Sequence, residues 1–361
     1  MPNRLHHSTE NVTRFMVRRL AALPPSVKRC FAGTPTRIDG QQLDVDAQLG
    51  ARLLRAVSSE DLDRQPISRI RARLSTDARI HGDRLPIENI RDITIPGPDG
   101  EIAARLYRPA GLLGRTPALV YYHGGGWTLG DLDTDSVARF LAHHAALTVI
   151  SIDYRLAPEH PFPAGVSDSI AAFDHVAAHS DLYDIDPAAI AVGGESAGGN
   201  LAAVVAQQTT LAARTTPTPV PAFQLLFMPV TDLSTEHDSY RLFGTIPFLT
   251  TTHMRWFREQ YLTDPALDHD PRVSPRLTED LRGMPPAYIA TAGFDILRDE
   301  GEAYAHKLAA AGVPVALHRH TDMTHGLINA TGTSQRARDA LHQAAGALRV
   351  GITFHTNPKS S

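Results

Sequence analysis

The chain has 361 residues, 42% of them hydrophobic, a formal net charge of −4 and one cysteine, Cys30. The acidic balance argues against a general nucleic-acid binder, and a lone cysteine excludes an internal disulfide or a cysteine-rich metal site. The sequence holds no run of about 18 apolar residues and no N-terminal apolar run of signal-peptide length. We therefore expect a cytoplasmic protein without stable membrane insertion.

The first 70 residues are polar, rich in arginine and predicted to be mostly helical, with an amphipathic pattern at 45–57. The stretch RFMVRRLAAL at 14–23 is basic and partly amphipathic. Such a stretch fits a helix on an anionic lipid surface, but it fits a solvated helix of the protein equally well. We favour the solvated helix.

From residue 91 the pattern changes to apolar runs of strand length that alternate with segments of helix length. Strands are predicted at 92–97, 101–109, 117–123, 147–154, 190–194, 222–229, 287–293 and 313–320. Helices are predicted at 133–146, 164–179, 197–213, 299–311 and 334–349. Several middle strands are apolar almost throughout, which is typical of parallel strands covered on both faces. The alternation predicts an α/β fold with an open, mostly parallel sheet. Residues 233–275 interrupt it and are predicted to be a helical excursion.

Ser196 stands in the sequence GGESAGGN, where a predicted strand becomes a predicted helix. A nucleophilic serine must project from the carboxyl edge of a sheet on a tight, strained turn, where side chains two residues to either side would clash. Those two positions are Gly194 and Gly198. The following helix would aim its N-terminal N–H groups at the same place, which favours developing negative charge. The motif predicts a nucleophile, and the alternative is a glycine-rich turn with an incidental serine.

A serine nucleophile needs a base and a carboxylate that orients this base. Among 18 histidines, His325 is favoured by position, because it follows the last predicted strand and precedes the last predicted helix. Asp295 follows the preceding strand, whereas Asp299 is expected to cap the next helix. The chain order Ser196, Asp295, His325 is that of the α/β-hydrolase arrangement.

Three consecutive glycines, Gly124 to Gly126, follow the predicted strand 117–123 in the sequence YYHGGGW. Their backbone N–H groups can approach a substrate with no side chain between. The N–H of Ala197, next to the serine, would complete a set of donors for the oxyanion that forms when a carbonyl is attacked. The pattern predicts an oxyanion hole built from Gly124, Gly125, Gly126 and Ala197, and a purely structural turn is the alternative.

Five segments together resemble the bacterial hormone-sensitive-lipase-like (family IV) carboxylesterases. They are HGGGW at 123–127, YRLAPEHPFPA at 154–164, GESAGGN at 194–200, DILRDEG at 295–301 and HGL at 325–327. The resemblance covers about residues 90 to 350 and implies a hydrolase of short- to medium-chain esters that needs no cofactor and no metal. Many members of the family have aspartate where Glu195 stands and proline where Ile296 stands. Neither change touches a reacting group, and Glu195 is a candidate for supporting the turn or tuning the base.

The resemblance assigns the family's roles to the residues already singled out. The nucleophile, acid and base fall on Ser196, Asp295 and His325, and the oxyanion donors fall on Gly124, Gly125 and Ala197, with Gly126 beside them. In the YRLAPE segment, the resemblance implies that Arg155 and Glu159 are architectural.

The resemblance also implies an α/β-hydrolase fold whose central sheet is flanked by helices and carries a helical cap. The cap would comprise an N-terminal segment, 1–70, and an insertion, 233–275, and the core would comprise 71–232 and 276–361. The implied partner is a small-molecule ester, with no nucleic acid. A homodimer is compatible with the resemblance, because members of this family are often dimers.

Two other functions remain open at this point. An amidase or aryl-formamidase could use the same residues, and only an assay separates it from an esterase. A catalytically silent small-molecule receptor could use the same scaffold, but receptors that resemble this family have lost the base, whereas His325 is present here.

Overall fold

An eight-stranded β-sheet forms the centre of the protein in the computed structural model, which describes residues 2–57 and 64–356. In chain order the strands are β1 (Arg37–Ile38), β2 (Gln41–Gln42), β3 (Asn89–Gly97), β4 (Gly100–Arg108), β5 (Thr116–Tyr122), β6 (Thr148–Asp153), β7 (Ile185–Glu195), β8 (Gln224–Phe227), β9 (Ala287–Phe294) and β10 (Val315–Thr324). Strands β1 and β2 form a separate hairpin, and the sheet has the order β10-β9-β8-β7-β5-β6-β4-β3. Strand β4 is antiparallel to β3 and β6, and the other neighbouring strands of the sheet are parallel.

Helices surround this sheet and also form much of the N-terminal segment. In chain order they are α1 (Pro2–Ala21), α2 (Pro25–Ala32), α3 (Val45–Val57), α4 (Ile67–His81), α5 (Ser136–Ala145), α6 (Ala164–Ala178), α7 (Ala197–Ala213), α8 (Asp238–Phe243), α9 (Thr251–Tyr261), α10 (Arg298–Ala310) and α11 (Gln335–Thr356). Within the described residues, no helix is both long enough and apolar enough to cross a bilayer.

The core lies between the sheet and the helices that pack on it. Strands β8 and β9 are buried at every position, which explains why their sequences are apolar without alternation. Helix α7 is buried throughout 197–207, where alanine, glycine and valine predominate. Because these side chains are small, α7 packs closely against β7 and β8 and holds its N-terminus at their carboxyl ends.

All eight strands that the sequence predicts are present in the sheet, so the predicted α/β fold is confirmed. The start of β7 was predicted too late, because the sequence DPAA suggests a turn. In the structure Ile185 already pairs with Thr116, and the register then shifts so that Ile190 pairs with Ala118. The residues of the predicted turn are an irregularity inside the strand.

The end of β10 was predicted four residues too early, at 320. Pairing with β9 shifts after His320 and resumes where Thr324 meets Phe294. The strand therefore ends directly before His325. The N-terminal segment also holds residues 321–324 in place, because the N–H of Asp44 donates to the carbonyl of Asp322 at 2.9 Å.

The hairpin β1–β2 was not predicted within the largely helical first 70 residues. Its turn consists of Asp39 and Gly40, whose φ angles are 53° and 71°. Two positive φ angles in succession are typical of the type I′ turn that joins two-residue hairpins. The side chain of Gln41 donates to the carbonyl of Gly293 at 3.2 Å, so the hairpin is fastened to the carboxyl end of β9.

Residues 233–275 contain α8, α9 and no strand, in agreement with the predicted helical excursion. Aromatic side chains fasten this segment to the core. The ring of Tyr261 stacks on Trp127 at 4.2 Å between centroids, and Phe243 lies 5.7 Å from Phe294. Helix α9 thereby lies beside the loop that follows β5.

Candidate active site

Ser196 lies on the sharp turn between β7 and α7, with φ 55° and ψ −119°. A positive φ is uncommon for a residue with a side chain, and it is held here by hydrogen bonds on both sides of the turn. The N–H of Ser196 donates to the carbonyl of Phe227 at 2.9 Å, and its carbonyl accepts from Asn200 and Val230. The geometry matches the strained strand–turn–helix that the glycine pattern predicts.

Gly194 and Gly198 are required by the space around this turn. A Cβ atom on Gly198 would overlap the backbone carbonyls of Tyr122 and His123, and one on Gly194 would overlap the backbone of Gly198. The turn therefore packs directly against the end of β5. Only glycine at these two positions allows the approach, as the sequence motif indicates.

His325 connects Ser196 to Asp295. Its Nε2 lies 3.0 Å from Ser196 Oγ, and its Nδ1 lies 2.8 Å from Asp295 Oδ2. The side chains follow the carboxyl ends of β7, β9 and β10, which lie at one edge of the parallel part of the sheet. The structure thus brings together the three residues that were chosen for a nucleophile, a base and an orienting acid.

The surroundings of Asp295 hold its carboxylate in place. The residue is 2% exposed, and its second oxygen, Oδ1, accepts from the N–H of Leu297 at 3.0 Å. Asp299 was expected to cap the following helix, but it lies inside the first turn of α10 and accepts from the N–H of Ser239 at 2.9 Å. It therefore fastens α8 rather than the helix start.

The pKa of His325 is raised from its usual value by two carboxylates. Burial alone would lower this pKa, but the charge and hydrogen bond of Asp295 and the charge of Glu195 outweigh that effect. A raised pKa favours the imidazolium that forms when the ring takes a proton. The environment thus suits a general base that must hold a proton briefly.

Glu195 is buried beside this histidine and has a partner that sequence reasoning missed. Burial raises the pKa of Glu195, against the opposing effects of His325 and of Asn329. Asn329 Nδ2 lies 2.8 Å from Glu195 Oε1 and 2.7 Å from Oε2. A single asparagine in a loop carries no pattern, so nothing in the sequence marked Asn329.

The glycine loop, which we define as residues 123–130, lies against the serine turn. A Cβ atom on Gly124 would lie 3.2 Å from the carbonyl oxygen of Glu195. On Gly125 and Gly126, whose φ angles are 120° and 59°, a Cβ would overlap Leu129 and the ring of Phe257. Glycine is thus needed both for backbone conformation and for close packing.

Hydrogen bonds fix the carbonyl groups of this loop one after another. The carbonyl of His123 accepts from Tyr154 Oη at 2.8 Å, and that of Gly124 lies 2.8 Å from His123 Nδ1. The carbonyl of Gly125 accepts from the N–H groups of Thr128 and Leu129 at 3.1 and 2.8 Å. In a planar trans peptide the N–H points away from the carbonyl of the same unit. Fixing each carbonyl therefore fixes the direction of the next N–H.

Ala197 begins α7 directly after the serine and is completely buried. The first N–H groups of a helix have no partner within it, so this N–H is available to a group outside the helix. The glycine loop and the start of α7 both lie against the serine turn, since a Cβ on Gly124 would lie 3.2 Å from the carbonyl oxygen of Glu195 and one on Gly198 would overlap the carbonyl of His123. Among the described residues, no group of three or more His, Cys, Asp or Glu side chains could hold a metal ion.

Comparison with known proteins places the chain in a family. Residues 119–329 match a family model described as alpha/beta hydrolase fold. The chain is 45% identical over 344 residues to the carboxylic ester hydrolase LipN of Mycobacterium tuberculosis, covering 93% of this chain and 91% of that protein. It is 42% identical to the carboxylesterase NlhH of the same organism, covering 74% of this chain and 84% of that protein.

A solved structure of another esterase resembles this chain in fold. The hyperthermophilic esterase from the archaeon Pyrobaculum calidifontis superposes with a TM-score of 0.78 at 38% identity, covering 84% of this chain and 97% of that chain. The sequence relatives and this structure are all named as ester hydrolases, and the similarity covers most of each chain. The chain belongs to the hormone-sensitive-lipase-like (family IV) carboxylesterases of the α/β-hydrolase superfamily.

Proposed function

We propose that this carboxylic ester hydrolase cleaves short- to medium-chain acyl esters through Ser196, His325 and Asp295, with a covalent acyl-enzyme as intermediate. The observation that carries the proposal is the continuous hydrogen-bonded series from Ser196 Oγ through His325 to Asp295. A serine hydroxyl is a weak nucleophile at neutral pH, and an adjacent base held by a third group is the usual means of activating it.

In the first half of the reaction Ser196 Oγ attacks the ester carbonyl carbon while its proton passes to His325 Nε2. The resulting tetrahedral intermediate collapses, and the same proton is given to the departing alcohol. In the second half a water gives a proton to His325 and attacks the acyl-enzyme, and Ser196 recovers its proton as the carboxylic acid leaves. Asp295 keeps the imidazole oriented and stabilises its positive charge throughout.

The negative charge on the carbonyl oxygen would be bound by backbone N–H groups of Gly124, Gly125 and Ala197, with Gly126 beside them. Support comes from the series of hydrogen bonds that hold the carbonyls of the glycine loop, since preorganised donors need no reorganisation during the reaction. Ala197 adds the N-terminal N–H of α7, where the helix dipole favours an anion.

The preference for short to medium acyl chains follows from a proposed cap over the site. We assign 1–70 and 233–275 to the cap and 71–232 with 276–361 to the core. Residues 1 and 58–63 of the cap and 357–361 of the core lie outside the described residues. The ring of Phe257 from α9 packs directly on Gly126, and Trp127 is buried under Tyr261. Such close packing beside the glycine loop limits the room for a long chain.

A series of p-nitrophenyl esters of increasing chain length tests the proposal on the wild type, Ser196→Ala and His325→Ala. We expect a loss of about a thousandfold or more in kcat/KM for each variant, as is usual when a member of a triad is removed. The exposed residues Ser68 and His160 provide the control substitutions Ser68→Ala and His160→Ala, which should retain activity. Retained turnover in Ser196→Ala would contradict the mechanism.

Two further measurements separate the alternatives. Labelling of Ser196 by a fluorophosphonate distinguishes an enzyme from a silent receptor, since only an activated serine reacts. Comparison of p-nitrophenyl acetate with p-nitroacetanilide distinguishes an esterase from an amidase. A higher kcat/KM for the anilide would assign the main activity to amides.

A further inference from the structure

Arg71, in α4 (Ile67–His81), connects this helix to the glycine loop. Its Nε donates to the carbonyl of Thr128 at 2.8 Å, and its Nη2 donates to the carbonyl of Ala157 at 3.0 Å. The same guanidinium group makes a paired contact with the carboxylate of Glu159, at 2.9 and 2.7 Å. One side chain therefore joins three separate parts of the chain.

The two carbonyl acceptors belong to residues that themselves hold the glycine loop. Thr128 is completely buried, its N–H donates to the carbonyl of Gly125 at 3.1 Å, and its Oγ1 donates to the carbonyl of Gly126 at 3.0 Å. The N–H of Ala157 donates to the carbonyl of Trp127 at 2.8 Å. Through Thr128 and Ala157, Arg71 thus acts on the carbonyls of Gly125, Gly126 and Trp127. The first of these belongs to the same peptide unit as the N–H of Gly126, the donor at the edge of the proposed oxyanion hole.

The loop needs such support because its own backbone is permissive. Gly125 and Gly126 have φ angles of 120° and 59°, in the region that favours glycine. A glycine backbone can rotate with little steric penalty, so the direction of its N–H groups must be fixed by neighbours. Thr128 supplies that restraint, and Arg71 restrains Thr128.

The ion pair with Glu159 does not by itself explain this arrangement. The Glu159 side chain is 53% exposed, and exposed pairs contribute little to stability. The carboxylate instead orients the planar guanidinium, so that Nε and Nη2 face the two carbonyls. A lysine has no planar fork and cannot reproduce both directions at once.

We propose that Arg71 is a positioning residue for the oxyanion hole, acting through Thr128 and Ala157 on the peptide groups of the glycine loop. This inference rests on the proposed function. It makes α4, far from Ser196 in sequence, part of the support for transition-state binding. Removal of the guanidinium should weaken binding of the oxyanion and leave binding of the neutral ester almost unchanged.

The test compares Arg71→Met with the wild type in hydrolysis of p-nitrophenyl acetate. Loss of one well-placed oxyanion donor lowers kcat by about 10²–10³, and we expect a misaligned donor to lower kcat by roughly 10–100-fold, with KM changed less than about threefold. A trifluoromethyl ketone, which adds to Ser196 Oγ and forms an oxyanion, should lose affinity by the same factor. The exposed Arg69 on the same helix provides the matched control, Arg69→Met.

Arg71→Lys and Glu159→Gln keep the test decisive if Arg71→Met does not fold. We expect Arg71→Lys to lose at least fivefold in kcat and in ketone affinity, and Glu159→Gln to lose less, because the guanidinium remains. Unchanged kcat and ketone affinity in a folded Arg71 variant would overturn the inference, as would a loss of kcat without a loss of ketone affinity. Retained turnover in Ser196→Ala would instead overturn the proposed function, so the two failures are distinguishable.

Discussion

Asn329 ties the buried carboxylate of Glu195 to the loop that carries His325. Its Nδ2 lies 2.8 and 2.7 Å from the two oxygens of Glu195 and 3.4 Å from the carbonyl of Gly326. Glu195 directly precedes Ser196, the proposed nucleophile, and Gly326 directly follows His325, the proposed base. The contact therefore links the residue before Ser196 to the loop that contains His325.

Glu195→Gln should shift the acid limb of the pH profile of kcat/KM to lower pH. The charge of Glu195 helps to raise the pKa of His325, and the proposed mechanism requires this imidazole to be neutral in the free enzyme. Removing the charge lowers the pKa of His325, so the neutral form persists to lower pH. We expect a shift of about 0.5 to 1 pH unit, measured with an uncharged p-nitrophenyl ester.

Glu236→Gln is the matched control for this shift, because Glu236 forms its ion pair with Arg255 on the exterior. Its acid limb should coincide with that of the wild type. An acid limb of Glu195→Gln that stays in place or moves to higher pH would show that Glu195 acts on the loop only by packing.

Gly198→Ala should destabilise the protein strongly, whereas Gly346→Ala should stabilise it. A Cβ on Gly198 would overlap the backbone carbonyls at the end of β5, and backbone cannot move aside cheaply. A Cβ on Gly346, in the middle of α11, meets nothing within 4 Å. We expect a loss of about 3 kcal/mol or more for the first and a gain of roughly 0.5–1 kcal/mol for the second, measured by urea unfolding. Equal stabilities would contradict the tight contact between the turn and β5.

His144→Gln should reduce the loss of stability in acid. Burial and the charges of His342 and His143 lower the pKa of His144 to about 4. An unfolded histidine takes up its proton near pH 6.5, so the unfolded chain binds more protons than the folded one below that pH. The contribution of neutral His144 to the free energy of unfolding is therefore fully present above about pH 6.5, and it is lost as the pH falls toward 4.

Urea midpoints at pH 7.5 and pH 5 measure this effect. The difference between the two should be smaller in His144→Gln than in the wild type, but not zero, because burial and the charge of His318 also lower the pKa of His320 to about 4. The exposed residue His160 provides the control, His160→Gln. An unchanged difference in His144→Gln would show that this histidine is not a source of the acid sensitivity.

Arg155→Met should destabilise the fold by about 3–5 kcal/mol, because it leaves the carboxylate of Asp168 buried without its charged partner. Arg155 Nε and Nη2 each lie 2.8 Å from one oxygen of Asp168, whose side chain is 1% exposed. Chemical denaturation measures the loss. The double substitution Arg155→Met with Asp168→Leu should recover much of it, and a double variant less stable than the single one would contradict the electrostatic cause.

The sequence predicted those parts of the fold and of the candidate site that depend on local patterns. Strands that are buried on both faces are apolar at nearly every position, and the spacing of Gly194 and Gly198 reports the contact around Ser196. His325 and Asp295 could be chosen because parallel strands end at one edge, so position along the chain indicates proximity. The distances between Ser196, Asp295 and His325 follow from the order and register of strands β7, β8, β9 and β10, which no local pattern specifies.

Other features could not be predicted because they depend on tertiary contacts or on weak local signals. Arg71 is one of many arginines in a helical segment, and its role follows only from where Thr128 and Ala157 lie. The Asp39–Gly40 turn did carry a hairpin signal, but its flanking strands have two residues each and contain a single apolar residue, Ile38, so no alternation supported it.

The position of β10 at one edge of the sheet has a consequence for how the enzyme would lose activity on heating. Edge elements open in local fluctuations more readily than central strands, so different regions of a protein need not melt together. His325 directly follows this edge strand, whereas Ser196 directly follows the central strand β7. Local unfolding of β10 alone would displace His325 and stop turnover while most of the molecule stays folded. We therefore expect thermal inactivation at a lower temperature than global unfolding.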